Sequence, residues 1–146
     1  MPEEKGQCLC GSVQVKVNRT HNHVDACHCG MCRRWGGGPF ISIRCADQVV
    51  FSGEARISVY DSSEWAERGF CNQCGSHLFY HIKGSNEYEV PAGLFENQDG
   101  LKLDLQVYVD KKPSFYSFEN KTKEMTEEDV IRQYCPEKNL KKPEKT

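Results

Sequence analysis

Apolar and polar residues alternate with a period of two along much of the chain, which is typical of half-buried β-strands. Six segments show the pattern: 13–17, 41–45, 57–60, 78–82, 87–90 and 103–109. Clusters of glycine, proline, serine, asparagine and aspartate separate these segments and predict turns between them. The pattern therefore predicts a mainly antiparallel β domain.

One helix is predicted near the end of the chain. Thr126 is a suitable N-cap, and the acidic run Glu127–Asp129 matches the positive end of the helix dipole. An apolar stripe follows over 130–134, and Pro136 predicts the end of the helix. The last residues, 137–146, are rich in lysine, glutamate and proline and predict a disordered tail. We therefore expect one domain over residues 1–136.

Composition and charge argue against a nucleic-acid-binding protein, a membrane protein and a secreted protein. The net charge of −2 over 146 residues lacks the strongly basic balance expected of a nucleic-acid-binding protein, so we expect no nucleic-acid partner. No apolar stretch approaches the roughly 20 residues that a membrane span requires. The opening segment, Met1–Gly6, is polar and acidic rather than a secretory signal. We expect a cytoplasmic protein.

The chain contains nine cysteines, an odd number, in a sequence without an apparent export signal. In a reducing compartment, this density indicates metal binding or catalysis rather than disulfides. Seven of them form three clusters with short spacings: Cys8/Cys10, Cys27/Cys29/Cys32 and Cys71/Cys74. The remaining two, Cys45 and Cys135, are predicted to be small buried residues.

The first and third clusters together supply four thiolates. A C-x-C on an extended segment places both sulfurs on one face, and a C-x-x-C turn brings two sulfurs around one ion. Cys8, Cys10, Cys71 and Cys74 therefore predict a closed, tetrahedral structural zinc site. The alternative interpretation is four buried free cysteines.

The second cluster supplies three ligands, Cys27, Cys29 and Cys32. Three protein ligands plus an open position are typical of a reactive zinc, whereas structural sites use four. Two alternatives stay open at this point. His28 or a remote histidine could complete a closed structural site, or Cys29 and Cys32 could form a redox dithiol. The leading prediction is a second, reactive zinc that binds less tightly than the first.

Three thiolates donate much electron density to a zinc ion and weaken its Lewis acidity toward water. Such a soft site suits a thiol substrate, which it would bind as the thiolate. Arg33 and Arg34 follow the cluster directly and are candidates to offset its negative charge or to bind a substrate carboxylate. The other interpretation of these arginines is that they face solvent.

Three runs of sequence together resemble one known family. They are Gly6–Val13 around the C-x-C, Cys27–Arg34 around the second cluster, and Arg68–Ser76 around the C-x-x-C. Their order and spacing resemble the glutathione-dependent formaldehyde-activating (GFA, centromere protein V-like) family over roughly residues 5 to 118. Ser63 and Arg68 also match the family pattern and are candidates for a pocket wall.

The resemblance implies an Mss4-like fold of several coiled antiparallel sheets stapled by zinc, with the two ligand sets given above. It also implies carbon–sulfur lyase activity: glutathione adds reversibly to formaldehyde to give S-hydroxymethylglutathione. The competing hypothesis is a protein-binding module in which both zinc ions are structural. A reductase of the methionine-sulfoxide type ranks last, because it needs a free catalytic cysteine.

Overall fold

The structure, a computed structural model, describes residues 3–46 and 49–134. Its strands are β1 (Glu3–Gln7), β2 (Gln14–Asn18), β3 (His23–Cys27), β4 (Phe40–Ala46), β5 (Val49–Ser52), β6 (Ile57–Asp61), β7 (Ala66–Cys71), β8 (His77–Ile82), β9 (Glu87–Pro91), β10 (Lys102–Val107) and β11 (Lys123–Met125). Its two α-helices are α1 (Gly30–Gly36) and α2 (Glu127–Tyr134). No helix in these ranges is long and apolar enough to cross a membrane. The predicted mainly β class with a short C-terminal helix is confirmed.

The described chain divides into two compact units. The first comprises residues 3–22 and 42–101 apart from 47–48, and all its strand pairs are antiparallel. One sheet has the order β1-β2-β5, and a second run of paired strands has the order β4-β9-β8-β7-β6. The first two residues of β4, 40–41, belong to the second unit, and the rest of this strand belongs to the first unit.

The core of the first unit includes two of the predicted metal ligands. Cys8 and Cys71 are buried with Val13, Leu78 and Phe79. Burial of these apolar side chains supplies the main free energy that holds the surrounding strands together. Two of the four cysteines, Cys8 and Cys71, are therefore part of the core of the first unit.

The second unit comprises residues 23–41 and 102–134 of the described chain. Its strands have the order β11-β10-β3, and both pairings are parallel. The sequence pattern did not predict this parallel arrangement. In β10 the register shifts between Leu103 and Leu105, and α1 follows β3 after two residues.

Several predicted boundaries are corrected. The strand predicted over 103–109 ends at Val107, because Tyr108 adopts a left-handed conformation with φ of 58°. Cys8 and Cys10 lie in a turn after β1 rather than on an extended segment, and the Gly11 N–H donates to the Cys8 carbonyl at 3.1 Å. The predicted tail (137–146), Cys135 and the Pro136 helix end lie outside the described residues.

Candidate metal centres

The four cysteines predicted to form one set lie together in the first unit. The Sγ atoms of Cys8, Cys10, Cys71 and Cys74 all lie within 4.8 Å of one another. The Sγ atom of Cys10 is 3.7 Å from that of Cys8 and 3.9 Å from that of Cys71. Metal–sulfur bonds of about 2.3 Å in a tetrahedron place sulfurs about 3.8 Å apart. The group could hold a metal ion and is compatible with zinc.

Two glycines in the left-handed region shape the turns that carry these sulfurs. Gly11 (φ 82°) follows Cys10, and Gly75 (φ 83°) follows Cys74. The Gly75 N–H donates to the Cys71 carbonyl at 2.7 Å. This conformation is accessible to glycine without steric cost, so each turn can fold its two sulfurs toward one point.

Hydrogen-bond donors surround the sulfurs of this group. The N–H groups of Val13 and Gln73 donate to the Sγ atoms of Cys8 and Cys71, at 3.3 and 3.4 Å. The Ser76 hydroxyl, 3.3 Å from the Sγ atom of Cys74, lowers the pKa of that thiol to about 5. A thiolate is the ligand form of cysteine, so this environment favours the state that binds metal.

The three cysteines predicted to form the second set lie together in the second unit. The Sγ atoms of Cys27, Cys29 and Cys32 lie within 4.8 Å of one another. Cys27 is the last residue of β3, and Cys29 is the N-cap of α1. The Sγ atom of Cys29 accepts the backbone N–H of Cys32 at 3.4 Å, so the start of the helix fixes the Cys29 sulfur.

The protonated thiol of Cys27 resists ionisation. Hydrogen bonds that the Cys27 thiol donates to Cys29 and Cys32, together with burial, raise the pKa of Cys27 well above its ordinary value. Three thiolates this close repel one another, so they form together only when a cation offsets their charge. The group could hold a metal ion, because a dication supplies that compensation.

His28 does not point its ring nitrogens at this group. Its Nδ1 atom is 2.8 Å from the Tyr116 hydroxyl, and its Nε2 atom is 2.8 Å from Oε1 of Gln106. Both nitrogens are therefore engaged with other side chains. In the part of the chain that the structure describes, no other histidine, cysteine or acidic residue joins the three sulfurs.

The two candidate arginines differ in their environments. Arg33 is half-buried, and its Nε donates to the backbone carbonyl of His28 at 2.9 Å. Arg34 is exposed to solvent. Both lie on α1, in the turn that ends at the left-handed Gly37. Arg33 is thus fixed beside the cysteine loop, whereas Arg34 is exposed on the same helix.

The two residues proposed for a pocket wall lie in the first unit. The Ser63 hydroxyl accepts the N–H of Ala66 at 3.2 Å, which is the role of a turn residue. Arg68 is buried, and its guanidinium carbon lies 5.0 Å from the ring centre of Tyr80.

A model of the glutathione-dependent formaldehyde-activating enzyme family matches residues 3–111 of the chain, about three quarters of its length. The chain belongs to this family. The resemblance carried by the three cysteine runs is confirmed. The match includes all seven of the cysteines placed in the two groups.

Relatives within the family differ in how much of their length the chain covers. A Schizosaccharomyces pombe protein named an uncharacterized lyase is 36% identical over 90% of this chain and 97% of its own length. A Penicillium rubens protein, whose name places it among the glutathione-dependent formaldehyde-activating enzymes, is 33% identical over 58% of this chain. The chain spans 47% of the length of that relative. The family and the lyase relative confirm the prediction of an enzyme.

A solved structure has a similar fold. The crystal structure of a Rhodobacter sphaeroides protein superposes with a TM-score of 0.56 at 25% sequence identity. The match covers 64% of this chain and 88% of that one. The predicted fold class, several β-sheets with a short C-terminal helix, is confirmed.

Sequence reasoning missed the residues that support the sulfurs. Ser12 and Ser76 place their hydroxyls 3.2 and 3.3 Å from the Sγ atoms of Cys10 and Cys74. A signal for both was present, because each cysteine begins an identical Cys-Gly-Ser tripeptide. No comparable signal marked Tyr116, whose hydroxyl contacts His28 from far along the sequence.

Proposed function

We propose that this protein is a zinc-dependent carbon–sulfur lyase that acts on S-hydroxymethylglutathione, the adduct of glutathione and formaldehyde. In the lyase direction, the adduct hydroxyl loses its proton as its carbon–oxygen bond becomes a carbonyl. The carbon–sulfur bond breaks, and its electron pair and a proton go to the sulfur. The other zinc, in the four-cysteine group, is structural. The observation that carries the proposal is the group formed by Cys27, Cys29 and Cys32.

The number of ligands supports a reactive second site. Four protein ligands close the coordination of a structural zinc, whereas catalytic sites use three and accept an exogenous ligand at the fourth position. His28 is an unsuitable fourth ligand, because both of its ring nitrogens already have partners. Cys27, Cys29 and Cys32 would therefore hold the ion while leaving a thiol substrate room to approach.

A zinc ion held by three thiolates would supply a soft electrophilic centre that favours the thiolate form of glutathione. The chain contributes positive charge next to it. Arg33 is held against the His28 carbonyl through Nε, which leaves its terminal nitrogens as candidates to bind a carboxylate of glutathione. Exposed Arg34, on the same helix, adds a second cation and favours an anionic substrate.

The proposal is tested with Cys29→Ser and a matched Cys45→Ser control. Serine is a preferred N-cap residue, so Cys29→Ser should preserve the start of α1 while removing one thiolate. We expect metal content to fall from two ions per chain to one, with loss of S-hydroxymethylglutathione turnover and retention of the folded state. Cys45→Ser should retain two ions. Turnover at the parental rate in Cys29→Ser would reject the mechanism.

A second experiment separates an enzyme from a binding module. X-ray absorption of the zinc-loaded protein, measured with and without glutathione, reports the number of sulfur ligands per ion. We expect the average to rise from 3.5 toward 4, since three-sulfur and four-sulfur sites average to 3.5 and glutathione would add one sulfur. An unchanged average at saturating glutathione would favour a module in which both ions are structural.

A further inference from the structure

The residue between two of the proposed ligands, His28, is fixed by all of its polar groups. It is fully buried, with an exposed fraction of 0%. Its backbone N–H donates to the Val107 carbonyl at 3.1 Å, and its carbonyl accepts from Arg33. Its two ring nitrogens contact Gln106 and Tyr116. His28 is therefore held from four directions while its neighbours Cys27 and Cys29 contribute sulfurs to the three-cysteine group.

The direction of these hydrogen bonds follows from the contact between Gln106 and Thr122. Nε2 of Gln106 lies 3.0 Å from the Thr122 hydroxyl, which leaves Oε1 of Gln106 to accept a hydrogen bond from Nε2 of His28. In the neutral ring, Nδ1 of His28 is then an acceptor, and the Tyr116 hydroxyl donates to it. One tautomer of His28 satisfies every member of the network.

The tyrosine in this network is itself held in place. Its ring stacks on His28 with the ring centres 5.5 Å apart, and Phe118 lies 5.9 Å from His28 on the same segment. Nζ of Lys112 donates to the Tyr116 carbonyl at 2.6 Å and lies 5.3 Å from the centre of its ring. Tyr116 thus presents its hydroxyl to His28 while Lys112 holds its backbone and ring.

We propose that Gln106 and Tyr116 are positioning residues for the three-cysteine metal centre, acting through His28. The inference rests on the proposed function, because it takes Cys27, Cys29 and Cys32 to be ligands. A ligand set works only when its sulfurs are held in the required geometry, and partners outside the set supply that constraint. Fixing the ring of His28 fixes the backbone on which Cys27 and Cys29 are mounted.

The test compares Tyr116→Phe and Gln106→Leu with a Tyr60→Phe control. Tyr116→Phe removes one hydroxyl and retains the ring that stacks on His28. Tyr60→Phe makes the same chemical change at an exposed tyrosine of the first unit. Each variant is loaded with cobalt(II), whose sulfur-to-metal charge-transfer bands report thiolate ligands. Competition with a chelator then gives the affinity of each site.

We expect each of the first two variants to bind cobalt about 10- to 100-fold more weakly at the three-cysteine site, in the range typical of lost outer contacts. The bands of that site should also shift. The four-cysteine site lies in the first unit, serves as an internal control for the folding of that unit, and should keep its parental affinity and bands. The fold loss of cobalt affinity in the double variant should be smaller than the product of the fold losses in the two single variants, since both residues act on the same ring.

The possible outcomes separate this inference from the proposed function. If the parental protein binds one cobalt ion, at the four-cysteine site alone, the proposed function fails and this inference fails with it. If the parental protein binds two ions and both single variants match it in affinity and spectrum, the inference alone is overturned. Loss at both sites in either single variant would show general unfolding and would also overturn it.

Discussion

The backbone N–H of Leu9 donates a hydrogen bond to the Ser76 hydroxyl across 67 positions of the sequence, at a distance of 2.9 Å. Leu9 lies between Cys8 and Cys10, and Ser76 follows the Cys71–Cys74 turn. The same hydroxyl oxygen is 3.3 Å from the Sγ atom of Cys74. One side chain therefore joins the two halves of the four-cysteine group without being a ligand.

Replacing this side chain should weaken the group. In Ser76→Ala, the Leu9 N–H and the Cys74 sulfur each lose a partner, so we expect the free energy of unfolding to fall by about 1–2 kcal/mol. Urea unfolding of the zinc-loaded protein measures the change. Ser114→Ala is the control, because Ser114 is exposed. Equal stability of the two variants would show that the Ser76 contacts contribute nothing.

Gly69 tests the packing beside the four-cysteine group. A Cβ atom at this position would lie 2.3 Å from the ring of Phe79, which belongs to the same core as Cys8 and Cys71. Gly69→Ala should therefore destabilise the protein by about 1–3 kcal/mol, the usual cost of overpacking. A Cβ atom at Gly93 meets nothing within 4 Å, so Gly93→Ala should be close to neutral in the same urea titration. A smaller loss of unfolding free energy in Gly69→Ala than in Gly93→Ala would contradict the prediction of overpacking at Gly69.

Cys45 is predicted to be chemically inert in the folded protein. Burial, with the nearby Glu89 carboxylate, raises the pKa of its thiol to about 12. A raised pKa keeps the thiol protonated through neutral pH, and the thiolate is the reactive form. Iodoacetamide at pH 7–9 should therefore leave Cys45 unmodified, as measured by peptide mass spectrometry. In denaturant the same thiol should react, and equal rates in the two conditions would contradict this prediction.

The start of α2 should respond to acid. Thr126 and Asp129 cap each other, with N–H to side-chain oxygen distances of 3.2 and 3.0 Å. The backbone hydrogen bond from Thr126 lowers the pKa of Asp129, so its contribution is present above about pH 4 and lost as the pH falls through the lowered pKa. Amide exchange in α2, corrected for intrinsic rates, should lose protection over that range while β10 keeps its own. Thr126→Ala should lower α2 protection about fivefold at neutral pH.

The strands that sequence predicted best are those whose buried positions are apolar. In β2, Val15 and Val17 are buried and alternate with exposed polar residues, as the period of two predicts. β1 has the same alternation of burial, but its buried positions are Glu4 and Gly6. Glu4 pairs with the equally buried Arg19, at 3.3 Å. A buried ion pair gives no apolar signal, so the pattern could not reveal this strand.

The grouping of sulfurs was predictable because each cysteine cluster consists of residues that are close together in the sequence. Short spacings such as C-x-C and C-x-x-C restrict where sulfurs can lie, and the structure brings together the predicted set of four and set of three. The contacts of His28 were not predictable, because Gln106 and Tyr116 lie 78 and 88 positions away. Helix α1 was missed because it is seven residues long and glycine begins and ends it.

The separation of partners along the sequence has a consequence for how the protein is made. Cys10 and Cys71 are 61 positions apart, so their group cannot close until the ribosome has passed residue 74. Tyr116, which contacts His28, is added to the nascent chain later still. During that interval the early thiols are open to oxidants and to one another. Reducing power during translation, as well as zinc supply, should therefore decide how much correctly assembled protein a cell accumulates.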